Sequence, residues 1–540
     1  MLGALVDKSL VVAAPGPGGA MRYRMLETIH EYASERLDEA GERAEIERRH
    51  LVHYRELARM TDPLLRGAEQ RTALDTLRRE YENIRTALRR AHAARDEQET
   101  LCLVLSLTWY WQMVDQRVEA RQWLTNAAEL GPDPFAAPLR PAGPIHQRCT
   151  DSPPPMADDV LVEARRQVGL LGLLNTDLPA EDWLSERESW FDSVAGVYRP
   201  GLPQTCRYPG LFWLLTLLFT GDEEGLARAL DETVAACEEF GYEWELASVL
   251  RLRANMRANR GASAEAAVRD ADRALVVFQR LGDVWSTAET LSARGEANER
   301  LGRFGAAVAD FTQATVYAEG LGALHHMAVL RVRLAQNLME VGRAEEGEAI
   351  LHEVLSGSEG EDGSGHHEVP VARLFLAIWL GRTGRVAEAR TQLRLARERF
   401  QSEAMLVFRG FVQDTEAWLD VEEGLYGQGR ERIREALTFT TSPMARLVAP
   451  EMAAVQLLIG ARCLAGLAPE GGAPARGAAR LLGAYEGLVP AGHIRAPFEA
   501  ELYETAQKEA LTALGGDEPR LTELRAEGAT LTREEAASLI

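Results

Sequence analysis

LSARGEANERLGRFGAAVADFTQATVYAEGLG, residues 291–322, decides the fold. Gly295 stands seven residues before Gly302, Phe304 stands two after it, and Ala307, Phe311 and Ala314 follow. Two antiparallel helices that cross closely need a small residue at the crossing, and the next hairpin needs an aromatic to dock on. This spacing supplies both. The unit also recurs: Gly221, Gly261, Gly302, Gly342 and Gly384 follow one another at steps of 40, 41, 40 and 42 residues, with a fainter sixth occurrence near Gly427 or Gly429. Helical stretches flank each of them, so each marks a turn inside a helix pair. Gly241, Gly282 and Gly322, each preceded by Phe or Leu, run in phase with the first series and mark the end of the second helix. The unit at Gly384 keeps Val386, Ala389, Leu393 and Ala396, and the unit at Gly342 keeps Ala344, Gly347, Leu351 and Val354. In the unit at Gly261, Ala267, Ala271 and Ala274 lie one place late, which reads as a one-residue insertion.

Small residue, turn glycine, aromatic, Ala, aromatic, Ala at these offsets resembles the tetratricopeptide repeat family. The interval of about 40 exceeds the family's usual 34 and implies longer first helices.

Outward from the repeats, residues 42–61, 68–94, 97–113 and 117–130 carry apolar positions at helical spacing and read as a helical adaptor. Proline density and lack of periodicity make 131–158 a loop or disordered linker, and GSEGEDGSGHHE (357–368) a flexible loop. After a break at 466–477, helices are expected near 478–487, 495–514 and 519–527. A last short helix starts at Thr532, where Glu535 completes a capping box.

The first 41 residues have their own logic. Leu2–Ser9 ends a helix, Leu10–Ala13 and Arg22–Met25 read as strands joined by the Pro15–Gly19 turn, and a helix from Glu27 to Ala40 stops at Gly41. Helix, hairpin, helix is the second half of a winged helix. LVDKSLV, the hairpin, RYRMLETIHEYASERLDEAGE and RRHLVHY together resemble the winged-helix-to-repeat junction of STAND-class bacterial transcriptional regulators, of the actinobacterial SARP type or the large ATP-binding LuxR type. YENIRTAL (81–88), TWYWQ (108–112), ARLLGAYEGL and AEGATLTREEAASL fit the same family's continuation and ending. The expected fold is therefore all-α: a tetratricopeptide-like helical-repeat superhelix with a small N-terminal winged-helix remnant carrying one β-hairpin. Its parts are expected at 1–41 (remnant), 42–130 (adaptor), 131–158 (linker), 159–440 (repeats) and 441–540 (helical cap).

The same resemblance implies a nucleotide-binding domain and a DNA-binding domain, and the chain departs from it there. A phosphate loop needs Gly-x-x-x-x-Gly-Lys-Ser/Thr, because glycine amides cradle phosphates that the lysine reaches. Lys8 precedes Ser9, but Asp7 stands where the last glycine belongs, and Lys508 precedes Glu509. The chain thus reads as part of a longer frame, with an ATPase upstream, or as a fragment that meets such an ATPase in trans.

The formal charge of -22 disfavours a grip on nucleic acid. Lys8, Arg22 and Arg24 could meet phosphates, but the helix behind them carries Glu27, Glu31, Glu35, Asp38 and Glu39, so no direct DNA contact is expected. Scattered cysteines, five in all and without a CxxC pair, point to a reduced, cytoplasmic protein. The apolar runs 101–111 and 210–219 are too short for membrane spans and read as buried helices. His325–His326, His352 and His366–His367 lack metal-ligand spacing, and His50 and His53 lack the carboxylate of HExxH. Neither metal nor cofactor is expected, nor an enzyme, since no nucleophile elbow or dinucleotide fingerprint occurs.

The repeats are the expected working part. Registering on the turn glycines puts Arg251, Asn255, Asn259, Glu296, Glu299, Gln336 and Glu340 on the concave face, as contacts for a protein partner or a small signal ligand. The expected function is the signal-sensing, protein-interaction arm of a STAND-type regulator. The alternative is a free-standing repeat scaffold with no transcriptional role.

Overall fold

The computed structural model describes residues 2–16, 21–174, 188–220, 222–258, 263–357, 368–399, 406–440, 452–469, 471–490 and 492–540. The chain is an all-α helical-repeat superhelix with one small hairpin. It opens with α1 (Leu2–Asp7), β1 (Val12–Pro15), β2 (Met21–Arg24) and α2 (Glu27–Glu39). The strands are antiparallel, Val12 opposite Arg24 and Pro15 opposite Met21. The first strand starts two residues later than expected because Ser9 takes a left-handed φ of 58° and the turn it makes runs on to Val11. No residue of α1 or α2 is buried.

Four adaptor helices follow: α3 (Arg43–Thr61), α4 (Gln70–Ala93), α5 (Glu97–Met113) and α6 (Arg117–Ala128). In α5 every residue from Leu101 to Trp111 is buried, which accounts for that apolar run as a core helix. No helix among the described residues is long and apolar enough to cross a membrane. The second apolar run is not one helix. Its residues form a 3-10 turn, Gly210–Trp213, and the short α9 (Leu214–Phe219), after α7 (Asp158–Leu174) and α8 (Glu188–Val197).

Residues 131–157 hold no helix or strand, as their prolines require, yet they are packed. Phe135 meets Trp190 edge to face at 5.2 Å, Ala142 N–H donates to Val197 O at 2.9 Å, and Arg59 Nη1 reaches Asp151 O at 2.9 Å. The stretch expected as a loop or disordered linker is a strap over the adaptor core. The 357–368 loop falls almost wholly outside the described residues.

Beneath that strap, Glu163 is fully buried and accepts a hydrogen bond from Tyr198 Oη at 2.8 Å. Burial pushes its carboxyl up to about 7, with the Tyr198 and Arg166 contacts pulling the other way. A carboxyl raised on folding adds stability that is complete below the unfolded value and lost as pH rises through the folded one. Glu163→Gln keeps an acceptor for Tyr198 without the charge. Urea unfolding at about pH 5 should barely separate the two proteins, and at about pH 8 the variant should be the more stable by up to about 3 kcal/mol.

The array begins with α10 (Glu223–Phe240) and continues as hairpins. These pair α11 (Glu243–Ala258) with α12 (Ala264–Leu281), α13 (Val284–Arg300) with α14 (Phe304–Leu321), and α15 (Leu324–Glu340) with α16 (Ala344–Gly357). Then α17 (Glu368–Arg382) pairs with α18 (Val386–Arg399), α19 (Leu406–Glu422) with α20 (Tyr426–Thr440), and α21 (Met452–Leu467) with α22 (Ala473–Leu488). The end is α23 (Pro497–Ala513), α24 (Glu518–Gly528) and α25 (Arg533–Leu539), the last capped by Thr532 and Glu535 as its sequence specifies.

The glycine series has a backbone cause. Gly302, Gly342 and Gly384 take φ of 69°, 82° and 78°, and Gly241, Gly282 and Gly322 cap the second helices at 68°, 74° and 64°, a region closed to most side chains. The sixth turn glycine is Gly424 (φ 76°), not Gly427 or Gly429, both of which lie inside α20. Gly221 and Gly261 lie outside the described residues.

The crossing read from residues 291–322 is present. A Cβ on Gly295 would stand 2.9 Å from the Phe311 ring, and Ala307, Phe311 and Ala314 are fully buried. At the next hairpin a Cβ on Gly347 would stand 2.6 Å from Ala335 O.

Candidate interaction groove

Among the described residues the first helices of consecutive pairs pack on one another, α11 on α13, α15 on α17, α17 on α19 and α19 on α21, and side-chain hydrogen bonds join α13 to α15, while consecutive second helices of the hairpins approach less closely. The first helices therefore line the inner side of the curve. Polar side chains bridge them there. Arg251 of α11 pairs with Glu289 of α13 at 3.4 Å. Glu299 of α13 accepts from Asn337 Nδ2 at 2.9 Å and Gln336 Nε2 at 3.3 Å, and Arg333 Nη1 stands 3.8 Å away. Glu340 of α15 accepts from Arg382 Nη1 of α17 at 2.7 Å. Further on, Arg462 of α21 donates to Glu422 of α19 at 2.6 Å.

The structure thus places Arg251, Asn255, Glu296, Glu299, Gln336 and Glu340 on the first helices α11, α13 and α15, all half-buried. Asn259 lies outside the described residues. Four of them, Arg251, Glu299, Gln336 and Glu340, bridge neighbouring helices, so they are not freely solvated positions. Sequence reasoning missed Arg333, Asn337 and Arg382. The signal for Arg382 was present: it stands two residues before Gly384, as Glu340 stands two before Gly342.

The C-terminal end of the groove is already filled. Helix α23 lies against α21 and α22. Its Phe498 meets Trp418 edge to face at 4.8 Å, Arg382 Nε donates to Glu501 Oε2 at 3.1 Å, and Arg462 Nε donates to Glu509 Oε2 at 2.9 Å. A cleft of about 180 Å³ remains beside it, lined by Gly381, Arg382, Trp418, Glu422, Arg462 and Phe498. Over α13 and α15 the bridging groups stay partly open to water, with side-chain exposures of 20% for Glu299 and 33% for Arg333.

Electrostatics follow from this setting. Burial raises the Glu296 carboxyl above the usual carboxylate range; Arg333 facing it acts the other way, while Glu299 and Glu289 add to the rise. Burial likewise pushes Asp414, which accepts from Gln456 Nε2 at 2.8 Å, up to about 8.

Among the described residues no group of three His, Cys, Asp or Glu side chains is placed to hold a metal. His352 lies 3.7 Å from Glu348, and the His50 ring lies tilted against Tyr54 with ring centres 4.6 Å apart.

Fold and groove define an all-α helical-repeat protein whose first helices present a partly open polar groove. No protein-family profile matches the chain. It is 34% identical over 125 residues to proteins named "Putative HTH-type transcriptional regulator" in Mycobacterium tuberculosis, in two strains, and in Mycobacterium bovis. The match takes in 23% of this chain and 14% of each relative's length, so the chain is similar in part to HTH-type transcriptional regulators and covers a small share of them.

Proposed function

We propose that this chain is the signal-sensing, protein-interaction arm of a STAND-type transcriptional regulator, working by binding in the cytoplasm and not by catalysis. In this reading the hairpin and its helices are a winged-helix remnant, the pairs are tetratricopeptide-like repeats, and the inner groove holds a partner or inducer. An ATPase domain, joined upstream or supplied in trans, answers to that occupancy. The observation that carries the reading is the polar ladder from Arg251 to Arg382, partly open to water along the first helices. Partial similarity to HTH-type regulators supplies the transcriptional side.

The test is a pair of host strains, one lacking the chain and one carrying Glu299→Ala with Arg333→Ala. Both should alter the same set of transcripts, with the variant protein still helical by circular dichroism. A deletion that leaves transcript levels unchanged would overturn the regulator reading in favour of a free-standing scaffold.

A further inference from the structure

We infer that Cys206 and Cys237 are a redox pair. Under peroxide they close a disulfide that ties the adaptor and its strap to the first helix of the repeat array. This goes beyond the binding role proposed for the groove and does not depend on it.

Two segments bring the thiols together. Cys206 ends the 3-10 turn Pro203–Cys206, and Cys237 lies in the last turn of α10. Each is 1% exposed. Cys206 Sγ lies 4.0 Å from Thr233 O. In an α-helix that carbonyl accepts from the backbone N–H four residues on, which is that of Cys237. Helical side chains lean toward the N-terminus and cover the preceding turn. The Cys237 thiol therefore lies over the carbonyl that Cys206 touches, and a hydrogen bond joins the two thiols.

The pair sits at a junction. Gln204 of the same turn holds the strap, with Nε2 donating to Gly143 O at 2.7 Å and Oε1 accepting from Ile145 N–H at 3.0 Å. Helix α10, on the other side, opens the array. At rest the pair is reduced and unreactive. The hydrogen bond from Cys206, and then burial, hold the Cys237 thiol well above its usual range, and Glu245 and Glu238 nearby add to the rise. In a reducing compartment a pair of this kind stays open and closes on oxidation.

The chemistry balances with one peroxide per pair. A single 3-10 turn opens at lower cost than α10, and its opening brings Cys206 to solvent. The Cys206 thiolate attacks the peroxide: the O–O bond breaks, an S–O bond forms, and a sulfenic acid is left as one water departs. When the turn closes again, the Cys237 thiol attacks that sulfur. The S–O bond breaks, the S–S bond forms, and a second water departs. Two thiols have lost their hydrogens, and the peroxide has been reduced to water.

The test is hydrogen peroxide treatment of the intact native chain, followed by denaturation, alkylation and peptide mass mapping. Cys206 and Cys237 should escape the alkylating reagent as one cross-linked pair of peptides, and dithiothreitol should release them. Cys102, Cys149 and Cys463, the other free cysteines, should be alkylated as in untreated protein. Hydrogen exchange reads the tie. The Thr205 and Cys206 amides, both bonded to Leu202 O, should exchange at least about tenfold more slowly after peroxide. In Cys237→Ser peroxide should leave that exchange unchanged. Alkylation of every thiol after peroxide, a cross-link joining other cysteines, or oxidation of Cys206 without a cross-link overturns the inference, as does equal slowing in Cys237→Ser. The mapping needs no variant, so it decides even if Cys237→Ser does not fold.

Discussion

Replacing Asp283 by alanine is expected to cost about 3–5 kcal/mol and to free the adaptor from the repeats. The side chain is fully buried and caps α13, with Oδ1 accepting from Ser286 N–H at 2.9 Å. The same oxygen accepts from Gln70 Nε2, at the start of α4, at 2.8 Å, and Oδ2 accepts from Trp244 Nε1 of α11 at 2.7 Å. Gln70 in turn receives Trp285 N–H at 2.9 Å, so one carboxylate ties three helices separated by up to 213 residues. Next to it Arg66 is ion-paired with Asp62 at 2.9 Å and sits 5.3, 5.7 and 5.4 Å from the rings of Trp109, Tyr208 and Trp244.

Alanine leaves three buried donors facing an apolar methyl, and each unsatisfied donor costs about 1–3 kcal/mol, with incomplete additivity. Asparagine keeps one acceptor but turns an amide against a donor, so Asp283→Asn should fall between. Hydrogen exchange is the measurement, since a repeat array this long need not unfold as one unit. Amides at the start of α4 and of α13 should lose protection together. A loss below about 1 kcal/mol, or exchange confined to α13, would show that the carboxylate is only a cap.

The second large effect lies at the other end of the chain. Gly483 of α22 has Arg525 O where a Cβ would stand, at 2.0 Å. Gly487 and Gly528 have Ala529 O at 2.3 Å and Arg480 O at 2.0 Å in the same position. Helices α22 and α24 therefore touch backbone to backbone, and a carbonyl cannot swing aside as a side-chain tip can. Gly483→Ala should cost about 3 kcal/mol, and Gly483→Val should separate α24 and α25 from the array. Leu524 and Ile540, both buried, would then be exposed, and proteolysis after Ala513 would become fast. Gly305→Ala is the control: its Cβ meets nothing within 4 Å, and the change should be neutral or stabilising by about 0.5–1 kcal/mol. Gly483→Val resisting proteolysis as wild type does would mean the cap is held by other contacts.

Much of the fold was legible because local backbone sterics fix it. A left-handed residue is required where each helix pair turns, glycine adopts that conformation without strain, and the period of Gly302, Gly342 and Gly384 follows. The sixth turn was misplaced for an instructive reason. Gly424, Gly427 and Gly429 fall within six residues, and composition does not say which takes positive φ. The backbone does, through Leu425 N–H donating to Asp420 O at 2.8 Å. The strap at 131–157 looked disordered because its prolines exclude regular structure, but Phe135 and Cys149 still find a buried surface.

The candidate groove was half legible. Counting from the turn glycines placed Glu296, Glu299, Gln336 and Glu340 on first helices, since the helical repeat fixes which positions share a face. It gave no sign that Glu501 and Phe498 would come to lie on Arg382 and Trp418. By itself, then, the sequence determined the helices, their caps and turns, and the face that looks inward, all set by interactions within a few residues. Only the tertiary structure decided which acids are paired, which arginines they meet, and how much of the groove stays open. Those depend on contacts between helices, from Arg251 with Glu289, 38 positions apart, to Arg382 with Glu501, 119 apart, that no pattern within a few residues encodes.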